Sequence, residues 1–301
     1  MRLKPRQRQA IWAYVFLTPT LILFALIVIY PFLYAFYLSL QEWGVFGDTY
    51  FVGIQNYRDM LNDPLFWKSL GNTFKWTVGV VPATIIIALL VALILNSQRV
   101  KARGAFRTIY FVPVVTNMVA AAFVWRWLFE PTFGVVNYIL ERLGLPGPGW
   151  LASTKWALPA MMVVGIWKQI GFAMVIFLAG LQTIPRDIVE AARIDGATGW
   201  QVFSRITLPL LNPTVVFVAV MMVINALRVF TIPYVMSAGG FTYGVPGGPL
   251  DSTRVFVIHI YDLGFRRFQL GYASANAFAL LILIMAATLF QMKVLERPFE
   301  Y

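Results

Sequence analysis

From Ile11 to Leu40 the chain runs thirty residues without one charged side chain. Trp76–Gln98 and Phe268–Met292 are uncharged as well. A helix rises about 1.5 Å per residue, so about 20 apolar residues cross the hydrocarbon of a bilayer. Only 12% of the 301 residues are charged and 59% are hydrophobic, whereas about a quarter of a soluble domain is charged. So few charges cannot coat a globule of this size, and lipid is the solvent for most of the chain. Six spans are expected, at 11–40, 73–97, 106–129, 157–181, 208–235 and 270–292. Backbone groups in lipid must be satisfied within the chain, which makes these spans helices. The expected fold class is an all-α polytopic membrane protein, a single transmembrane domain over residues 1–301. The first span follows a basic start (Arg2, Lys4, Arg6, Arg8) but is too long for a signal-peptide core and has no small-x-small cleavage site. It reads as a retained helix.

Lysine and arginine set the orientation. With six spans both termini share a side, and taking that side as cytoplasmic places thirteen of the 24 basic residues there. They are Arg2, Lys4, Arg6 and Arg8; Arg99, Lys101, Arg103 and Arg107; Arg186, Arg193 and Arg205; Lys293 and Arg297. The longer outer loops hold eight, and most of the acids, among them Glu42, Asp48, Glu130 and Asp251, fall outside. The net charge of +11 therefore belongs to short clusters beside apolar runs, and nucleic acid is not a partner. No cysteine is present, which excludes disulfides and a thiolate metal site. His259 is the one histidine and is expected on the surface of an outer loop; nothing near it completes a metal set. No Ser/His/Asp set or pair of intramembrane acids points to catalysis.

The outer loops carry turn clusters, Gly144–Gly149 in the second and Gly239-Gly240 with Gly247-Gly248-Pro249 in the third, and the first holds a helix-like stretch, Ile54–Leu61. Pro31, Pro82, Pro113 and Pro233 lie in or near spans, where each removes a backbone donor and can kink its helix.

The polar segment 182–209 sits between spans four and five. Pro185 and Asp187 start a helix, Ile188, Val189, Ala191 and Ala192 give it a small apolar side, and Gly196 breaks it. A second short helix is expected from about Thr198 to Ile206, burying Trp200, Phe203 and Ile206 before Pro209 opens span five. The small alanines let another protein approach, and Glu190 and Asp195 offer carboxylates to its arginines. On these residues alone a partnerless interfacial helix is the competing reading.

The spacing Glu190, Ala191, Ala192, Gly196, Ile206, Leu208, Pro209 resembles the "EAA" signature of ABC importer permeases served by a substrate-binding protein. Asp195, Ala197, Phe203 and Pro213 fit the carbohydrate (maltose-type) group. So do NYRDMLNDPLFWKSLGNT ending at Thr73, FRTIYFVPVV (Phe106–Val115) and FLAGLQTIP (Phe177–Pro185). The resemblance implies a type I importer permease fold in a prokaryotic cell membrane. It implies four partners: a second homologous permease, two cytoplasmic ATPases and an outer sugar-binding protein. ATP and Mg would be bound by the ATPases. Glu190 would pair with an ATPase arginine. This chain has no Gly-x-x-x-x-Gly-Lys phosphate loop and is not expected to be an enzyme.

Polar groups at bilayer depth usually face the bundle interior. Asn117 in span three, Lys168 and Gln169 in span four, and Asn225 and Arg228 in span five fall there, with Trp167 and Phe172 beside them. Aromatic faces with amide or guanidinium donors suit a sugar; the same charges could instead hold the second permease. The family's contact positions in span five are occupied here by Ala226 and Val229. Import of a phosphorylated polyol such as glycerol phosphate is an alternative that Lys168 and Arg228 would serve. A stand-alone secondary transporter would need mid-membrane carboxylates, and none of the thirteen acids sits there.

Overall fold

The computed structural model describes residues 5–43, 49–97, 100–237 and 246–295. Arg2, Lys4, Arg99, Arg297, Asp48, Gly239 and Gly240 lie outside them. Helix α1 (Pro5–Phe24) passes through a π turn (Ala25–Ile29) into α2 (Tyr30–Ser39). Then come α3 (Gln55–Asn62), α4 (Pro64–Asn96), α5 (Arg103–Val115), α6 (Met118–Leu128), α7 (Val135–Arg142), α8 (Ala157–Gln182), α9 (Arg186–Ile194) and α10 (Gly199–Val202). A second π turn (Phe203–Thr207) leads to α11 (Leu208–Leu210), α12 (Asn212–Leu227) and α13 (Thr231–Ser237). Helix α14 (Phe256–Tyr261), a third π turn (Asp262–Arg266) and α15 (Leu270–Leu295) follow. The spans are helical as expected. Among the described residues the loop after α2 adds an antiparallel hairpin, Gln41–Trp43 (β1) against Thr49–Phe51 (β2), with Glu42 opposite Tyr50.

Among the described residues five helical runs are long and apolar enough to cross a membrane: Trp12–Ser39, Pro64–Asn96, Ala157–Thr183, Asn212–Ser237 and Leu270–Leu295. The expected span 106–129 is not one helix. α5 and α6 meet at 99°, and only as a broken pair do they make a sixth span. Thr116 and Asn117 are extended at the break, three residues after Pro113. Span five is also interrupted: α12 ends at Leu227 and α13 starts at Thr231. Pro233 sits in the first turn of α13, where its missing N–H is harmless, but its ring would meet the carbonyl of Val229 if α12 ran on. Two other prolines are handled differently. Pro31 and Pro209 each follow a π turn in which the preceding amide reaches five residues back, Tyr30 N to Ala25 O and Leu208 N to Phe203 O. Widening the turn moves the i−4 carbonyl away from the ring without ending the helix.

The chain divides into two compact units. One comprises the described part of Met1–Asp63 with Ile260–Ala279. Its first helix is bare, with 6% of its most apolar stretch buried. Buried Asn56 on α3 donates to the carbonyls of Ser39 (2.9 Å) and Gln41 (2.8 Å), which fixes the loop that leaves α2. Gly271 admits this backbone, because a Cβ there would lie 1.9 Å from Gln41 O. Phe278 packs its ring 5.3 Å from Phe32 and from Phe36, and Asp262 holds Arg266 and Arg267 at 3.1 Å.

The second unit comprises Pro64–His259 and the described part of Leu280–Tyr301. Its core is the seam of α4 and α8, with Trp76, Val80, Met161, Val164, Met174 and Phe177 buried, and α12 adds Val218, Met222 and Ala226. Helix α4 starts nine residues before the expected span. Its first turns hold the segment before α14: Lys68 donates to Leu250 O (2.6 Å), Asn72 to Asp251 O (2.9 Å) and Arg254 O (3.1 Å), and Thr73 accepts from Phe256 N (2.8 Å). The same packing corrects the reading of His259 as a surface residue. It is 1% exposed, on α14, with its ring stacked on Phe256.

Candidate functional site: an exposed elbow and a broken span

The segment after α8 forms an elbow. Pro185 is extended and caps α9, with Asp187 in the first turn and Arg193 in the last, each favourable to the helix dipole. No residue of α9 is buried. Asp187, Glu190, Ala191 and Ile194 form an i, i+3, i+4, i+7 stripe that is wholly exposed, Ile194 at 86%. Val189 and Ala192 on the other side are half-buried. Among the described residues Glu190 and Asp195 form no ion pair.

The glycine in the motif has a defined conformational job. Gly196 has φ +85°, Gly196 N donates to Arg193 O (3.1 Å) and Ala197 N to Ala192 O (2.9 Å). That pair of bonds is the Schellman end of a helix, which a left-handed residue closes. Asp195, the helix C-cap, bonds back to Ala191 O at 3.0 Å. The chain then restarts at once. Thr198 accepts from Gln201 N while Gln201 Oε1 accepts from Thr198 N (2.7 Å), a complete capping box. The signal Thr-x-x-Gln was legible in the sequence and supplies two capping residues that the motif does not include.

Two expectations are corrected here. Trp200 is not buried but 73% exposed, resting 5.5 Å from Phe203; Phe203 and Ile206 are half-buried, and the buried residue of the turn is Val202. Pro209 does not open a separate span, because the π turn before it carries the helix onward. Backbone in the right-handed helical region joins α10 to α12 through Phe203, Leu208 and Leu211. The second arm of the elbow, α10, is therefore one helical run with α12. Gly180 lets α8 sit against it, since a Cβ there would meet Thr214 Oγ1 at 2.5 Å. Asn212 ties its base to Leu295 O at 3.1 Å.

The polar residues expected along a path are not brought into one hydrogen-bonded cluster. Asn225 and Arg228 are both exposed, three residues apart near the end of α12, where Arg228 is the C-cap. Gln169 is half-buried and Phe172 is exposed. Trp167 packs edge-on to Trp125, 5.5 Å away. Asn117 caps α6, its Oδ1 accepting from Val119 N (2.9 Å) and Ala120 N (3.2 Å). Lys168 has a role the sequence did not suggest. Its Nζ donates to the carbonyls of Pro113 (2.6 Å), Val114 (3.2 Å) and Thr116 (2.5 Å), at the broken end of α5. One turn further along α8, Gly171 touches the same helix: a Cβ there would lie 2.0 Å from Tyr110 O.

Known proteins share this architecture. The trehalose/maltose transport system permease protein MalF of Thermococcus litoralis is 34% identical over 97% of this chain and 96% of its own length. The lactose transport system permease protein LacF of Rhizobium radiobacter is 35% identical, covering 92% and 90%. A chain in the crystal structure of a bacterial alginate ABC transporter, in complex with an alginate pentasaccharide-bound periplasmic protein, superposes with a TM-score of 0.81 at 25% identity over 98% of both chains. The sequence profile of one family matches residues 81–298, a stretch that contains the elbow, the broken span and α12. The chain belongs to that family, the binding-protein-dependent transport system inner membrane components.

Proposed function

We propose that this chain is a permease subunit of an ATP-driven, binding-protein-dependent sugar importer that carries an oligosaccharide. The observation that carries the reading is the exposed elbow, an acidic and alanine-bearing helix closed by Gly196 and followed at once by α10, whose helical backbone runs on into span five. MalF and LacF, by name permeases for trehalose/maltose and lactose, support a sugar as cargo. The alginate transporter with its loaded periplasmic protein supports an outer binding protein as partner.

In this reading residues 1–301 form a single permease domain in a prokaryotic cell membrane, both termini inside. A second permease completes the pathway, and two ATPases bind ATP and Mg on the cytoplasmic side. Glu190, Ala191, Ala192, Asp195 and Gly196 meet an ATPase groove, and Ile206 and Pro209 pass its movement to α12. A lever works here because helical backbone transmits displacement with little loss, whereas a flexible linker would absorb it. Asn117, Trp167, Gln169, Phe172, Asn225 and Arg228 offer aromatic faces and donors to the sugar, and Lys168 supports them. Exposed Arg228 favours a second cargo class, an acidic sugar or a phosphorylated polyol. The test is ATP-dependent sugar uptake by proteoliposomes holding the full complex. Uptake that persists with this chain alone, or that ignores omission of the ATPases, overturns the proposal.

A further inference from the structure

The break between α5 and α6 forfeits four helical hydrogen bonds, those from the amides of residues 117–120 to the carbonyls of residues 113–116. In lipid each stranded group is costly. Two side chains take over most of them. Lys168 donates to the carbonyls of Pro113, Val114 and Thr116, and Asn117 Oδ1 accepts from the amides of Val119 and Ala120. An ammonium has three protons and no acceptor, so three carbonyls exhaust it. It also sits at the negative end of the α5 dipole, where a cation is favoured. Lys168 reaches the break from α8 because Gly171 lets α5 lie backbone-close to that helix.

Asn117 is left differently. Its Oδ1 is spent on α6, its residue is exposed, and its Nδ2 makes no bond among the described residues. The two N–H donors of that amide are aimed by the conformation of the break. We propose that Lys168 is a positioning residue of the transport path, which holds the α5–α6 break so that the Asn117 amide is presented to a hydroxyl of the cargo. It does not itself touch the sugar. The inference rests on the importer reading above for its cargo, but the conformation of the break can be read without any cargo.

The test uses the assembled transporter and the variants Lys168→Met, Lys168→Gln, Lys168→Arg and Asn117→Ala. The native chain has no cysteine, so Val119→Cys, at the first turn of α6, reports the break through its reaction rate with a water-soluble thiol reagent. Lys168→Met changes that rate about tenfold or more, and Lys168→Arg, which can still reach the carbonyls, stays within about threefold. Sugar KM rises about tenfold in Lys168→Met and in Asn117→Ala with little change in kcat, and the double variant is no worse than the worse single one. If Lys168→Met fails to assemble, Lys168→Gln, which keeps two donors, is read in the same cycle. Unchanged Val119→Cys reactivity overturns the clamp. Multiplicative KM effects overturn action through Asn117 and assign Lys168 to direct sugar contact. Altered thiol reactivity without any sugar transport would keep the clamp and refute the importer reading instead.

Discussion

Gly171→Ala should destabilise this protein although alanine is the better helix former. A Cβ at Gly171 would lie 2.0 Å from Tyr110 O and 2.9 Å from Val114 Cγ2. The first of these is backbone and cannot rotate aside, so α5 has to move well over an ångström before ordinary contact is restored. Overpacking of that kind costs about 1–3 kcal/mol. It outweighs the gain of roughly 0.5–1 kcal/mol expected when glycine gives way to alanine inside a helix. The control lies in α5 itself: at Gly104 a Cβ meets nothing within 4 Å, so Gly104→Ala should stabilise by up to about 1 kcal/mol. Both variants can be followed by tryptophan fluorescence during heating in detergent. At about 2–4 °C per kcal/mol, the apparent midpoint should fall by up to about 10 °C for Gly171→Ala and rise slightly for Gly104→Ala. A shift of Val119→Cys reactivity should accompany the fall, because moving α5 carries its last carbonyls off Lys168. If Gly171→Ala matches or exceeds the parent midpoint, α5 is not seated on α8 at Tyr110 and the account of the break fails with it.

Three further outcomes are expected. Gly196→Ala forces a β-carbon into a left-handed turn, about 1–2 kcal/mol, with no neighbour within 4 Å to add a clash; binding of the ATPase should weaken about tenfold and Gly196→Asn should recover most of it, as titration of the reconstituted complex would show. Thr198→Ala removes the capping box and about 1 kcal/mol, read as several-fold faster hydrogen exchange at the Gln201 amide with sugar affinity unchanged. Arg228→Gln should raise KM about tenfold for an acidic sugar or phosphorylated polyol and by less than about twofold for a neutral oligosaccharide; equal effects on both would remove Arg228 from the path.

The spans and the elbow were legible because each rests on a signal of its own length. Thirty uncharged residues from Ile11, or a charged segment between two apolar runs, cannot be read as anything soluble. The turn at Gly196 was also legible, since glycine after an amphipathic stretch is how helices commonly stop. The break of span three was not. Pro113 marked a place where a kink was allowed, but an intact helix and a 99° bend share the same hydropathy, and the carbonyls freed at the bend are met by a lysine 55 residues away in sequence. Lys168 was read as a path residue because the sequence shows only that a cation lies at bilayer depth, not which carbonyls are free to receive it. Trp200 was expected inside because an aromatic is usually buried; its exposure follows from the helical phase that Thr198 and Gln201 impose. His259 was expected outside because its loop looked long and irregular, whereas Asn72 and Thr73 bind that loop to α4.

The central claim is that the elbow docks on a separate ATP-hydrolysing subunit and drives span five. A photo-crosslinking residue placed at Ile194, the most exposed position of α9, in the assembled transporter within native membranes tests it most directly. The account predicts a single product with the mass of this chain plus one ATPase subunit, whose yield changes when ATP is added. Labelling of the outer binding protein from that position, or of lipid alone, would contradict it.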